Sequence, residues 1–278
     1  MEKIFAGIVL YNPDIERLKE NVDNIINQVS RVILVNNGAE NTEEIEQYLD
    51  GLEKQKIIYE NLNKNKGIAA ALNVIVNKCI DYNVNWVMTL DQDTVCNKDI
   101  VQKYRKYLKM DNVGQLTCEY IDRNFKNEDK KNKYGIRKIS WCITSAALLN
   151  INAWKKVGGF DERLFIDEVD YDICLSMREK GYYIYQIDFI GFVHEIGEGK
   201  SKKIGNKIIK TWNHSAFRRY YSTRNAMIVA RKHSEINTIR AFLGVLKHIG
   251  IILLFENDKW NKFKAGIKGL CVGIGEKI

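Results

Sequence analysis

The chain has 278 residues, 45% of them apolar and 28% charged, ordinary values for a globular protein of one large domain or a domain with an appendage. Six scattered cysteines (Cys79, Cys96, Cys118, Cys142, Cys174 and Cys271) form no C-x-x-C pair, which argues against a zinc site or a disulfide framework and for a reducing cytosol. Charge is uneven: residues 200–278 hold 17 Lys/Arg against 4 Asp/Glu, a balance of +13 that leaves −5 on residues 1–199 of a chain whose total is +8.

The N-terminus runs directly into a strand-like segment, so no secretory signal is expected. Ile4 to Leu10 is the first predicted strand. Tyr11-Asn12-Pro13 follows as a turn, and Pro13 opens a helix to about Gln28. Arg31 to Val35 is the second strand and ends at the turn Asn36-Asn37-Gly38. A helix from Thr42, a strand over Lys56 to Glu60 and a helix from Gly67 to Tyr82 lead to the apolar strand Trp86 to Leu90. This alternation predicts βαβ units and a mostly parallel sheet, with right-handed crossovers bringing the four strand ends to one edge. Beyond it the pattern predicts a helix over Lys98 to Lys109, a strand over Asn112 to Thr117 and a polar loop over 121–135. The apolar segment Ile139 to Leu149, a short helix over Asn152 to Val157, a helix over Asp170 to Lys180 and a strand over Tyr182 to Ile187 come next. From His214 onward the chain reads as helical, near 215–233, 236–256 and 259–273. No run approaches the ~18 uninterrupted apolar residues of a transmembrane helix, so none is expected.

Four constellations carry chemistry. Asp91-Gln92-Asp93 stands at the carboxyl end of a strand, where open α/β sheets bind ligands. Two nearby carboxylates repel, and a hard cation such as Mg²⁺ or Mn²⁺ relieves that repulsion; the plain alternative is a solvated Asp-rich turn. Asn65 to Asn73 begins a helix with small residues, which suits an anion at the helix N-terminus or tight helix–sheet packing. Gly158 to Asp172 holds six acids within twelve residues, so it lies on a surface or in a cleft where one carboxylate becomes a better base, or it is a solvated helix start. His214 to Asn225 carries Arg218, Arg219 and Arg224, which suit a diphosphate; nucleic acid fits the types too, but no nucleic-acid motif accompanies them.

In the order Tyr11-Asn12-Pro13, Val35-Asn36-Asn37-Gly38, Asn65-Lys66-Gly67-Ile68-Ala69, Leu90-Asp91-Gln92-Asp93, Val157-Gly158-Gly159-Phe160-Asp161, Phe165-Ile166-Asp167-Glu168-Val169-Asp170 and His194, these motifs resemble the family-2 glycosyltransferases. The resemblance is strongest to the bacterial rhamnosyltransferase branch, through the Asp-Gln-Asp form and the late Arg-Arg-Tyr-Tyr-x-x-Arg-Asn, and covers about residues 4–230. It implies a GT-A fold, Rossmann-like, over 1–205, with a helical region over 206–278 for acceptor, membrane or oligomer contacts. It implies a metal site of Asp91, Asp93 and His194, taking Mg²⁺ or Mn²⁺, and Asp170 as catalytic base. It implies that Tyr11, Asn12, Asn36, Asn37, Gly67, Asn73, Asp91 and Gln92 hold the nucleotide-sugar donor, and that Arg219 and Arg224 contact the diphosphate or the acceptor. The reaction it implies is inverting transfer of a sugar, L-rhamnose from dTDP-rhamnose, to a glycan or lipid-linked acceptor; UDP-glucose or UDP-galactose are alternative donors. A loop over 195–207, with Gly197, Gly199 and Gly205, is expected to close over the donor. Two departures bear on specificity: Asn36 stands where the family has Asp, and Ser176 where it has Arg, with Arg178 out of register.

Two rivals stand beside this reading. Asp91-Gln92-Asp93-Thr94-Val95 also resembles the nucleophile motif of haloacid-dehalogenase-type phosphatases, but that motif sits on a first strand and here a long α/β stretch precedes it. A non-catalytic nucleotide-sugar-binding protein would need a broken metal or base position, and neither is broken. Ile239 to Phe255, apolar but carrying Arg240, Lys247 and His248, suits a helix lying on a membrane, a homodimer interface or a core helix. The location expected is the cytoplasm, at the inner face of the cell membrane, with no nucleic-acid partner.

Overall fold

The first strand, β1 (Ile4–Leu10), is buried along its whole length, as a strand covered on both faces of a parallel sheet must be. The computed structural model describes residues 2–123, 135–194, 200–204, 207–211 and 213–277. After β1 come α1 (Ile15–Ile25), β2 (Arg31–Asn36), α2 (Thr42–Asp50), β3 (Ile57–Asn61), α3 (Ile68–Asp81) and β4 (Trp86–Asp91). Strands β3, β2, β1 and β4 lie side by side and all parallel, with Leu10 opposite Asn36, Asn36 opposite Asn61 and Val9 opposite Asp91. Their carboxyl ends therefore share one edge, which places Tyr11, Asn36 and Asp91 together.

The sheet then changes character. β5 (Val95–Cys96), α4 (Ile100–Arg105), β6 (Val113–Asp122), β7 (Ile136–Ile139), β8 (Ala147–Asn150), α5 (Ile151–Val157), α6 (Val169–Glu179) and β9 (Tyr183–His194) complete it. β8 runs antiparallel to both β4 and β6, β9 runs parallel to β6, and β5 and β7 pair antiparallel with β9. Parallel pairing thus holds across the first four strands and becomes mixed beyond them. β9 extends seven residues past the predicted Ile187, because shifts of register between Cys118 and Tyr120 let the ladder continue to Asp122 opposite His194. His194 therefore ends a strand rather than following one in a loop.

The chain divides into two compact units. Among the described residues, one holds the sheet and its helices up to His194, apart from Arg123 and Leu164–Val169. Its core packs the apolar faces of α1 (Leu18, Val22, Ile25) on β1, β2 and β4. The other unit includes Leu164–Val169 and the described residues from Lys200 on. It contains the antiparallel pair β10 (Lys200–Ile204) and β11 (Lys207–Thr211) and the helices α7 (Ala216–Lys232), α8 (Thr238–Phe255) and α9 (Lys259–Gly275). The pair corrects the expectation of a loop through 195–207; Gly197, Gly199 and Gly205 lie outside the described residues, as do residues 124–134 of the predicted polar loop.

The helical unit departs from expectation in one further respect. Among the described residues, α8 is long and apolar enough by length and composition to cross a membrane, although only 17% of that span is buried. Val245, Ile249 and Ile252 face inward, with Met227 and Leu270 in the same cluster as Val245 and Ile249. Ile239, Leu243, Leu246 and Leu254 form an exposed stripe. The two charges at Arg240 and Lys247 break the run in the sequence without making the helix polar.

Candidate active site

Asp91 ends β4 because the strand's hydrogen-bonded edge stops there, and three separate elements fix it. The Asn21 amide of α1 donates to the Asp91 carbonyl oxygen at 2.7 Å. The Ser145 hydroxyl donates to Asp91 Oδ2. Gln92 turns back to β1, accepting the Tyr11 N–H at 2.8 Å and donating to the Tyr11 carbonyl at 3.2 Å. The Tyr11 ring is left 49% exposed at the strand edge.

Asp91, Asp93 and His194 converge there, with one potential ligand atom from each lying within 4.8 Å of the others. His194 Nε2 is 3.6 Å from Asp91 Oδ2, and its Nδ1 is 3.4 Å from Asp93 Oδ1. Burial pulls the His194 pKa down, but the carboxylates of Asp93, Asp91 and Asp122 outweigh it and raise the value above the usual imidazole range. Thr94, fully buried, bridges Ser145 (3.1 Å) and His194 Nδ1 (3.4 Å). Two carboxylates and an imidazole, oriented by hydroxyls behind them, form a donor set that fits a hard divalent cation.

Around the shared edge, several residues expected to touch the donor are hydrogen-bonded to neighbouring loops. Asn36 is buried, donates to Thr42 Oγ1 (2.9 Å) and the Tyr59 hydroxyl (3.1 Å), and accepts the Ala39 N–H (2.8 Å). Asn37 accepts the Lys66 N–H at 2.9 Å and donates to Asn65 Oδ1, whose oxygen also accepts the Gly67 N–H that starts α3. These bonds bring the loop after β2 against the loop before α3; a Cβ on Gly38, at φ +79°, would lie 2.4 Å from the Asn65 nitrogen. Asn12, itself left-handed at φ 48°, accepts the Glu40 N–H at 2.6 Å. The Asn73 amide pairs with both the N–H (2.9 Å) and the carbonyl (3.0 Å) of Phe160 and donates to Glu162, so it fastens α3 to the Gly158-Gly159-Phe160 loop. Gly159 makes that approach feasible, since a Cβ there would stand 2.9 Å from the Trp154 ring.

Asp170 lies in the first turn of α6, where its Oδ1 accepts the Tyr171 N–H at 2.9 Å. Nearby, the Cys142 thiol is pushed up by its hydrogen bond with the free Cys174 thiol, by burial, and by the negative charge of Asp170. Just before Asp170, Phe165, Asp167 and Glu168 all have positive φ (60°, 65° and 64°), an uncommon conformation for residues with side chains.

Within the helical unit, the buried Asn225 of α7 donates to the carbonyls of Leu164, Ile166 and Asp167, and Arg218 pairs with Asp167 at 2.9 Å. Arg219 is buried, its guanidinium bonds Glu256 and reaches His248 Nε2 at 2.8 Å, and Lys262 completes the cluster 3.1 Å from Glu256. These bonds join α7 to α8 and α9. Arg224 Nε lies 3.8 Å from Glu276 and its guanidinium covers the Tyr221 ring. Sequence reasoning missed Ser145, Asn21 and Asn225; for Ser145 the signal is register, since Thr89 opposite Ala147 in an antiparallel pair carries Asp91 opposite Ser145 two residues further on.

Residues 6–174 match the family model described as Glycosyl transferase family 2. Over 288 aligned residues the chain is 29% identical to the dTDP-rhamnosyl transferase RfbF of Shigella flexneri, covering 98% of this chain and 95% of that protein. Its fold resembles that of S. aureus TarS 1–349 in complex with UDP-GlcNAc, with a TM-score of 0.63 at 13% identity over 96% of this chain and 79% of that one. It also resembles GalNAc-T7 with UDP, GalNAc and Mn²⁺, with a TM-score of 0.63 at 10% identity; the match covers 83% of this chain but only 48% of that one, about half its length.

Proposed function

The chain belongs to glycosyl transferase family 2, and from that premise we propose that it transfers L-rhamnose from dTDP-rhamnose to a hydroxyl of a cell-surface polysaccharide or lipid-linked glycan precursor, with inversion and with a divalent cation. As a glycosyltransferase of GT-A fold it has no use for a phosphorylated Asp91, and the phosphatase reading of that residue falls away. The convergence of Asp91, Asp93 and His194 at the edge beside Tyr11 carries the proposal. The likeness to RfbF over nearly the full length of both chains supports the choice of donor.

A cation held by those three side chains supplies Lewis-acid neutralisation of the leaving diphosphate. The protein's own residues do the rest. Ser145 and Asn21 hold Asp91 in place, and Gln92 locks the Tyr11 backbone so that its ring is presented to the nucleotide base. Asp170 takes the proton of the acceptor hydroxyl as that oxygen attacks the anomeric carbon. The new C–O bond forms as the bond to the diphosphate oxygen breaks, and the nucleoside diphosphate leaves with its electron pair. One displacement inverts the anomeric configuration.

A donor screen tests the reading. Mn²⁺-dependent binding and slow hydrolysis are expected to favour dTDP-rhamnose over UDP-glucose, UDP-galactose and GDP-sugars. Preference for another nucleotide sugar overturns the donor, and equal behaviour in chelator overturns the cation.

The exposed stripe of α8 supports a second element of the proposal, contact with an anionic membrane surface. Ile239, Leu243, Leu246 and Leu254 are exposed, as is Trp260 at the start of α9, a residue type suited to the bilayer interface. Arg240, Lys247, Lys259 and Lys264 stand among them, and residues 200–278 carry +13 in total. A second copy would set that charge against itself, whereas anionic headgroups complement it. A spanning α8 would draw Lys247 into the hydrocarbon, at a cost of about 3 kcal/mol on insertion scales, so the helix is read as lying in the interface. The reading is completed by a cytoplasmic location at the inner membrane face, where a sugar nucleotide and an anionic leaflet meet.

A further inference from the structure

The α/β unit contains a cavity of about 300 Å³ that the donor chemistry leaves unused. Its walls come from β6 (Thr117, Tyr120), β7 (Ile139), the segment leading to β8 (Trp141, Ile143) and β9 (Gln186). Two of its lining residues pack against neighbours of the proposed reaction centre. Tyr120 stacks on Phe192 and meets the His194 ring edge-on, centroids 6.4 Å apart. The Trp141 indole meets the Tyr171 ring edge-on at 6.0 Å, one residue from Asp170. The lining therefore includes both a neighbour of the metal-ligand candidate His194 and a neighbour of the residue beside Asp170.

Its lining indicates what enters. Among the described lining residues there is no Lys, Arg, Asp or Glu to neutralise a diphosphate. Ile139 and Ile143 offer an apolar surface, and Trp141 is 46% exposed, presenting an aromatic ring beside the opening. Thr117 supplies a hydroxyl. Gln186 has its carbonyl oxygen held by Arg137 Nη2 (2.7 Å) and Nε (3.2 Å), which fixes the plane of its amide. Mostly apolar walls with a few oriented polar groups describe a small-ligand site, and this volume stands at the low end of the ~300–1,000 Å³ such sites span. A sugar ring has an apolar C–H face for an indole and hydroxyls for an amide and a threonine.

We propose that this cavity is the acceptor subsite, taking one neutral sugar ring that bears a methyl-containing substituent, either a 6-deoxy carbon or an N-acetyl group, against Ile139 and Ile143. The inference rests on the transferase reading given above, with Asp170 as base. Trp141 would stack on the ring and direct one hydroxyl toward Asp170.

The test uses the full chain with dTDP-rhamnose and Mn²⁺. Methyl L-rhamnoside, methyl N-acetylglucosaminide and methyl glucoside serve as acceptor probes, the first two carrying the two sources of a methyl group. At least one of those two is expected to exceed the glucoside about tenfold in kcat/KM, as loss of a buried methyl contact implies. Trp141→Ala, and separately Ile139→Trp, which fills the cavity, are each expected to raise the acceptor KM about tenfold or more while the Kd for dTDP-rhamnose stays within about twofold. Unchanged acceptor KM in both variants, with donor binding intact, overturns the subsite alone; so does a glucoside used as well as the other two. Failure of the unmodified protein to bind any sugar nucleotide overturns the transferase reading and the subsite with it.

Discussion

The Ser145 hydroxyl donates a hydrogen bond to Oδ2 of Asp91, and Thr94 joins the same serine to the ring of His194. One buried pair of hydroxyls thus orients two of the three metal-ligand candidates. Ser145→Ala is expected to weaken Mn²⁺ binding and activity about 10- to 100-fold, the usual cost of losing a partner behind a ligand. Calorimetric titration of Mn²⁺ reads the first effect without any substrate. Unaltered Mn²⁺ affinity in this variant would show that the Asp91 carboxylate needs no orienting.

Asp170→Asn removes the proposed proton acceptor at nearly constant shape. Transfer is expected to fall at least 10²-fold, within the range for general-base loss, while the Kd for the sugar nucleotide is preserved. Turnover at the original rate would assign the base elsewhere.

Membrane contact is expected to depend on the exposed stripe of α8 and to weaken with salt. Leu243→Glu combined with Leu254→Glu alters only exposed positions, so the fold is expected to persist. The double variant should lose flotation with phosphatidylglycerol vesicles that retain the unmodified protein. Equal flotation of the two would remove the stripe from the account.

His214 makes stability depend on pH. Burial first, and then the charges of Arg218, Arg219, His248 and Lys262, lower its pKa from 6.5 to about 3. Between those values the unfolded chain holds a proton that the folded chain does not, so stability rises with pH across the window and declines as pH drops below 6.5. The Tm is expected to fall between about pH 7.5 and pH 5, and His214→Asn is expected to flatten that slope. An identical slope in the variant would mean that other groups set it.

Much of the α/β unit could be read from pattern alone. Apolar runs three to seven residues long, followed within two residues by Asn or Asp, located β1 to β4 and hence the edge carrying Asp91. Asp170, by contrast, was singled out only through the family resemblance, since the acidic run alone fits a solvated helix start as well. What could not be read was whether a polar side chain meets a ligand or the backbone. Asn36, Asn73 and Arg219 have the donors a nucleotide would want, yet tertiary contacts bind them to Ala39, Phe160 and Glu256. The length of β9 was hidden because Gly191, within an otherwise apolar run, resembles a turn, whereas the strand accepts it where a Cβ would stand 2.3 Å from the Cys118 sulfur. Ser145 has no periodicity to announce it and emerges only from the pairing of β4 with β8.

The hold of Asn225 on the carbonyls of Leu164, Ile166 and Asp167 spans as many as 61 residues of sequence. During synthesis from the N-terminus, the left-handed turn before Asp170 exists as chain well before the amide that secures it. At ~5–20 residues per second the delay amounts to roughly 3–12 s, added to the time for α7 to clear the ribosome. The nascent sheet can thus gather Asp91, Asp93 and His194 while the turn from Leu164 to Asp167 is still unsecured. That turn is completed late, when α7 has been made, so that a half-finished polypeptide holds its acidic cluster before it holds the bend that α7 fastens.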